Sequence, residues 1–204
     1  LVVISGSYSW INISITKTLM LPCIVVGLGL GIVTISRKHL SPITVPIYAV
    51  IQGIFLGAIS YTFNSLYDGI VITAISYTLS ILFVMLTLYR TGIIKPTENF
   101  KLGVAAGTGG IALIYVANFI MSFFGTGLSI MDINNASIYS IGFSLLVIVM
   151  ASLNLVVDFD FIEEGSEKGA PKYMEWFGAF GLLVTLIWLY LEILRLLAKL
   201  NSRK

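Results

Sequence analysis

The sequence predicts an all-α fold: a polytopic bundle of membrane-spanning helices forming one domain over residues 1–204. Composition is the first observation behind that reading. Of the 204 residues, 57% are hydrophobic and only 11% charged, and the mean hydropathy is +0.98. A water-soluble domain carries about 25% charged residues, so lipid must solvate much of this surface. The second observation is a set of six stretches, each close to the ~20 mostly apolar residues that cross a bilayer core as a helix. They cover residues 18–35, 45–63, 70–89, 102–124, 138–157 and 176–197. The third is that these runs are continuous rather than alternating, which argues against a barrel. A helix then satisfies every backbone polar group within the span itself.

Taken in order, residues 1–10, "LVVISGSYSW", are apolar but too short to span. No basic residue precedes them, so they do not read as a signal peptide; they read as the end of an N-terminal helix. The first complete span carries the single cysteine, Cys23, which has no partner for an internal disulfide and reads as a small buried hydrophobe. Gly27 with Gly31, Gly53 with Gly57 and Gly103 with Gly107 each stand four apart, a spacing that lets helix backbones approach closely. Short breaks such as "RKHLSP", "NSLYDG" and "RTGIIKPTENFK" separate the spans, and the most charged break, "DFDFIEEGSEKGAPKYMEW", precedes the last one. None is long enough to hold a second domain.

If the helices alternate, Arg37, Lys38, Arg90, Lys95, Lys101, Lys168 and Lys172 share one side. Lys17, Lys199, Arg203 and Lys204 fall on the other. The larger group should face the cytoplasm of a cell membrane, which places the C-terminus on the non-cytoplasmic side. The net charge of +2 and the lack of a basic patch interleaved with aromatics exclude nucleic acid as a partner.

Ionisable residues inside spans are costly and point to function. Here they gather in the last two spans. Each helical residue advances about 100°, so Ser140, Ser144, Ala151, Asn154 and Asp158 share a face. Gly181, Thr185, Trp188, Glu192, Arg195 and Lys199 form a similar stripe on the last helix. The two stripes should pack on each other, and the cost of exposing Glu192 to lipid should make the last helix central. Asp158 and Glu192 are the candidate proton-sensing and gating pair, with Asn154, Asp160 and Arg195 in support. Asp160 lies about 200° around from Asp158, so only one acid can face Glu192 unless the helix breaks at Phe159. Asp158 is preferred because it continues the polar stripe. The plainer reading is that Glu192 and Arg195, three apart, neutralise each other and the aspartates sit at the water interface.

Enzymatic chemistry lacks its parts. His39 is the sole histidine, so neither a HExxH zinc site nor a serine nucleophile with a histidine base can be built. Asp68 has a neighbouring tyrosine but no GxGD partner. The string "GVAAGTGG" has neither the preceding strand nor the following Lys-Ser/Thr of a phosphate loop. No catalytic residue and no cofactor is expected.

The C-terminal third, "LNLVVDFDFIEEG" followed by "GAPKYMEWFGAFGLLVTLIWLYLEILRLLAKL", resembles the Bax inhibitor-1/YccA family of seven-helix membrane proteins. "PIYAVIQGIFLGAIS" and "MLTLYRTGIIKPTENF" are similar to its bacterial branch. The resemblance implies a pH-sensitive calcium leak whose two intramembrane acids share a proton. Asp158 in "VVDFD" matches the first acid and Glu192 in "LYLEIL" the second. Two close carboxylates in low dielectric cannot both ionise cheaply, and calcium prefers carboxylate oxygen; both acids are therefore candidate calcium ligands. The second acid is Glu where the better-known branch has Asp, and Gln52 stands where bacterial relatives carry an acid. The resemblance also implies an alternative: a non-transporting regulator that binds a membrane-anchored protease, with the acidic segment from Glu163 to Glu175 as its docking surface.

Overall fold

Wherever the sequence carries an uninterrupted apolar run, the chain is helical. The computed structural model describes every residue except Asn134 and Lys204, with only the backbone described at positions 14–17. Lys204 and the side chain of Lys17, both counted above on the second side, therefore lie outside the described residues. Seven α-helices follow in order among those residues: α1 (Val2–Ile11), α2 (Ile13–Ser36), α3 (Ser41–Leu66), α4 (Ile70–Arg90), α5 (Glu98–Phe123), α6 (Ile138–Glu167) and α7 (Tyr173–Asn201). Two single 3-10 turns, Lys38–Leu40 and Ser129–Met131, lie in the connections. All but α1 are long and apolar enough to cross a membrane. The protein is thus an all-α, multi-pass membrane protein.

The ends of the helices follow local chemistry. Pro42 stands in the first turn of α3, where its missing N–H has no intrahelical partner to lose. The Thr97 hydroxyl accepts the Phe100 amide at 3.3 Å and caps α5. Gly169, with φ +62°, closes the end of α6 in a left-handed conformation that glycine adopts without strain.

One boundary departs from expectation. The helix read as ending at residue 157 continues to Glu167, so Asp158, Asp160, Glu163 and Glu164 are helical rather than members of a loop. The acids offer no backbone break until Gly169, and Lys168 pairs with Glu164 one turn back. The connection to α7 shrinks to a short corner.

The chain forms two compact units. The first comprises Leu1–Val71 and Phe161–Leu183, the second Ile72–Asp160 and Val184–Lys204, so α6 and α7 contribute to both. In the first unit α1 lies directly on α3. The Ser9 hydroxyl, fully buried, donates to the Ile54 carbonyl at 2.8 Å. A Cβ at Gly53 or Gly57 would collide with α1 backbone atoms of Val2 or Gly6. Phe180 of α7 meets Tyr48 of α3 edge-on, with centroids 5.0 Å apart. The second unit is built from α4, α5, most of α6 and the C-terminal part of α7. Its core includes Val147, Ala151, Leu155, Leu189 and Leu194, all with no exposed surface.

Candidate functional site

The site lies in the second unit, on α5, α6 and α7. Glu192 is 1% exposed although it stands in a membrane-spanning helix. One turn on, the Arg195 guanidinium donates to Glu192 Oε2 at 2.7 Å. The Tyr115 hydroxyl of α5 donates to the same oxygen, also at 2.7 Å. Arg195 Nη1 donates in turn to the Tyr115 hydroxyl at 2.9 Å, with its guanidinium carbon 5.4 Å from the ring centre. The three groups close a ring of charge-assisted hydrogen bonds around one carboxylate oxygen. The other oxygen, Oε1, is buried and has no hydrogen-bond partner.

Asp158 has a different neighbour. Thr185 of α7 lies beside its carboxyl group, and its Oδ2 is buried without a hydrogen-bond partner. Among the described residues, Asp158 Oδ2 and Glu192 Oε1 are the two buried side-chain polar atoms in that condition. Asp160, about 200° around the helix, pairs instead with Lys101 of α5 at 2.6 Å. Asn154 also turns to α5: its amide donates to Thr108 Oγ1 at 2.6 Å and to the Met150 carbonyl at 2.9 Å. The expected packing of two polar stripes therefore holds for part of each, while Asn154 serves a different interface.

A third contact fixes the register between α6 and α7. Lys199 Nζ donates to Ser144 Oγ at 3.0 Å, to the Ser140 carbonyl at 3.2 Å and to the Ile130 carbonyl at 3.0 Å. Ser144 thus bonds to Lys199, and Asp158 lies beside Thr185, in an antiparallel alignment with equal spacing on both helices. Midway between them, the same register sets Ala151, fully buried, level with Glu192. Asp158 and Glu192 are consequently offset by seven residues, about 10 Å along the helix. The described hydrogen bonds tie Glu192 to Arg195 and Tyr115 and do not join it to Asp158. Glu192 is joined to Arg195, as the plainer reading had it, and also to Tyr115.

Several of these residues escaped sequence reasoning. Tyr115 is a lone hydroxyl in the apolar run "IALIYVANF", without any helical pattern to mark it. Lys199 belongs to the α7 stripe but was counted with the basic tail; it is fully buried within α7, not a loop charge. Its hydrophobic surroundings, "LLAKL", were the available signal. Gln52 lies elsewhere, in the first unit, with its amide against Gly27. No group of three acidic, histidine or cysteine side chains that could hold a metal ion occurs among the described residues.

Comparison with known proteins adds one finding. The family model described as "Bax inhibitor 1 like" matches residues 1–202. No curated protein and no solved structure matches the chain.

Proposed function

This multi-pass membrane protein belongs to the Bax inhibitor 1 like family, and we propose that it is a pH-sensitive calcium leak of the cell membrane, gated by buried carboxylates. The observation that supports this reading is the pair of buried carboxylate oxygens, Asp158 Oδ2 and Glu192 Oε1, left without a hydrogen-bond partner. Burying an acid in a membrane span is expensive, and an oxygen left open there has no structural return. A hard divalent cation is the cargo such oxygens suit. In this reading Asp158 and Glu192 act as two stations in series, offset by about two helical turns of backbone, rather than as one proton-sharing pair. Arg195 and Tyr115 occupy Oε2 of Glu192 and hold its headgroup in place, while Oε1 receives the passing ion. Asn154 and Asp160 tie α6 to α5 and keep Asp158 on the α7 side.

The sign of the pH dependence follows from charge. Acidification places a proton on a carboxylate and removes the attraction for calcium, so flux rises as pH is raised across the range from about 5 to 8, where buried carboxyl groups commonly titrate. The protein carries out no covalent chemistry in this reading. Arg37, Lys38, Arg90 and Lys95 face the cytoplasm, and the burial of Lys199 removes one charge from the opposing count.

The test is calcium flux into liposomes containing the purified protein. Glu192→Gln flattens the pH dependence, and Asp158→Asn flattens it or abolishes conduction. Wild-type flux and pH response in both variants would refute the mechanism. The regulator reading draws on the acidic end of α6, where Glu163, Glu164 and Glu167 are exposed. Absence of flux from every variant, together with co-purification of a membrane protease, would favour it.

A further inference from the structure

Lys199 takes no part in the leak as described, yet it is the most unusual charge in the chain. It has no exposed surface, and it is absent from the four ion pairs among the described residues. An ammonium has three N–H donors. Here all three have oxygen partners: the main-chain carbonyls of Ile130 and Ser140 and the hydroxyl of Ser144, at 3.0 to 3.2 Å. Ile130 belongs to the 3-10 turn in the α5–α6 connection. Its carbonyl also accepts the Ser140 hydroxyl at 2.8 Å, so the turn, the start of α6 and the end of α7 are held by one carbonyl and one ammonium. Neutral carbonyl and hydroxyl oxygens around a buried positive charge are the ligand set of a small monovalent cation site. Through space, Glu192, Arg195 and Asp132 are the charged groups that act on Lys199.

We propose that Lys199 is a tethered cation that stoppers the C-terminal end of α7 against calcium, occupying an oxygen cage that would otherwise take a free monovalent cation of the ammonium class. The proposal rests on the leak reading. A divalent ion at Glu192 meets a fixed positive charge two turns further along the same face of α7, which repels it. Passage requires the ammonium to leave its three oxygens and the Ile130 turn to release from α6. The stopper thus sets the basal rate, whereas Glu192 and Asp158 set its response to pH.

The experiment compares the full-length wild type with Lys199→Ala, Ser144→Ala and Glu192→Gln in calcium-flux liposomes at one fixed pH, with and without millimolar methylammonium. Lys199→Ala should raise flux about tenfold, equivalent to removing about 1.4 kcal/mol of barrier. Methylammonium, refilling the vacated cage, should return that variant towards the wild-type rate and leave wild type unaffected. Ser144→Ala keeps the lysine, removes one of its three partners, and should give a smaller rise. Should Lys199→Ala fail to fold, unchanged flux in Ser144→Ala overturns the proposal by itself. Unchanged flux in both, while Glu192→Gln alters the pH response, overturns the stopper and leaves the leak standing. If wild type and all variants conduct no calcium, the leak reading fails and the stopper falls with it.

Discussion

The two units solve the same problem with different chemistry. Lipid tails are as apolar as leucine, so a hydrophobic drive cannot press membrane helices together; close packing and polar contacts must. The unit containing α1, α2 and α3 relies on closeness. Gly53 and Gly57 let α1 settle backbone to backbone on α3, Ser9 adds one hydrogen bond, and Tyr48 and Phe180 meet edge-on. The unit containing α4 and α5 with the C-terminal part of α7 relies on charge: Glu192 with Arg195, Asp160 with Lys101, and Lys199 in its cage. Small-residue packing asks for nothing beyond a bilayer. Buried charge costs stability, and a protein that retains it gains something other than stability. Under the leak proposal, the contrast assigns the ion path to the second unit.

The largest expected effect breaks the charged side of this comparison. Arg195→Ala leaves the Glu192 carboxylate, 1% exposed, without its counter-charge, and loss of one partner of a buried pair costs roughly 3–5 kcal/mol. Thermal unfolding in detergent measures it. The double variant Glu192→Gln with Arg195→Met should recover much of the stability while abolishing the pH response of flux. Equal losses for the single and double variants would mean that the guanidinium acts through packing alone.

That outcome also bears on what the sequence could reveal. The six spans were legible because apolar runs of ~20 residues have few alternatives. The end of α6 was not, because its acidic residues read as a loop, whereas the helix stops only at the left-handed turn of Gly169. Asp158 and Glu192 stood out as acids in apolar company, and Arg195 by its spacing from Glu192. Their partners did not stand out: Tyr115 and Thr108 come from α5, whose sequence carries no amphipathic pattern linking them to α7 or α6. The helical register between α6 and α7 is a tertiary property, and it is what sets Asp158 beside Thr185 rather than level with Glu192.

A smaller effect sharpens the small-residue side. Sequence spacing treats the glycine pairs as equivalent, whereas the structure separates them. An added Cβ at Gly57 meets the carbonyl oxygen of Gly6 and the Cβ of Ser9, atoms on another helix that cannot move cheaply. Gly57→Ala should therefore cost about 1–3 kcal/mol by overpacking, seen as a lower melting temperature and increased proteolysis near α1. At Gly103 an added Cβ meets nothing within 4 Å, so Gly103→Ala should be neutral or stabilising by up to about 1 kcal/mol, the gain in helix propensity. Similar losses at both positions would show that glycine matters here for flexibility rather than for close approach.

The smallest effect tests whether neutral polar contacts in the charged unit act as glue or as positioning. The Asn154 amide reaches Thr108 Oγ1 at 2.6 Å and its own helix at the Met150 carbonyl at 2.9 Å. Beside it, Gly107 lies against the end of the Met150 side chain, so α5 and α6 are already close there without the hydrogen bond. Polar contacts between membrane helices average about 0.6 kcal/mol in double-mutant cycles, because the separated helices find other partners. A cycle built from Asn154→Leu and Thr108→Val should give a coupling energy of about that size. The pH response of calcium flux should shift more than stability does, since Asn154 stands one turn before Asp158 and sets the rotation of α6 that aims it at Thr185. A coupling energy of several kcal/mol with an unchanged pH response would instead make Asn154 a structural cross-link and detach it from the gating carboxylates.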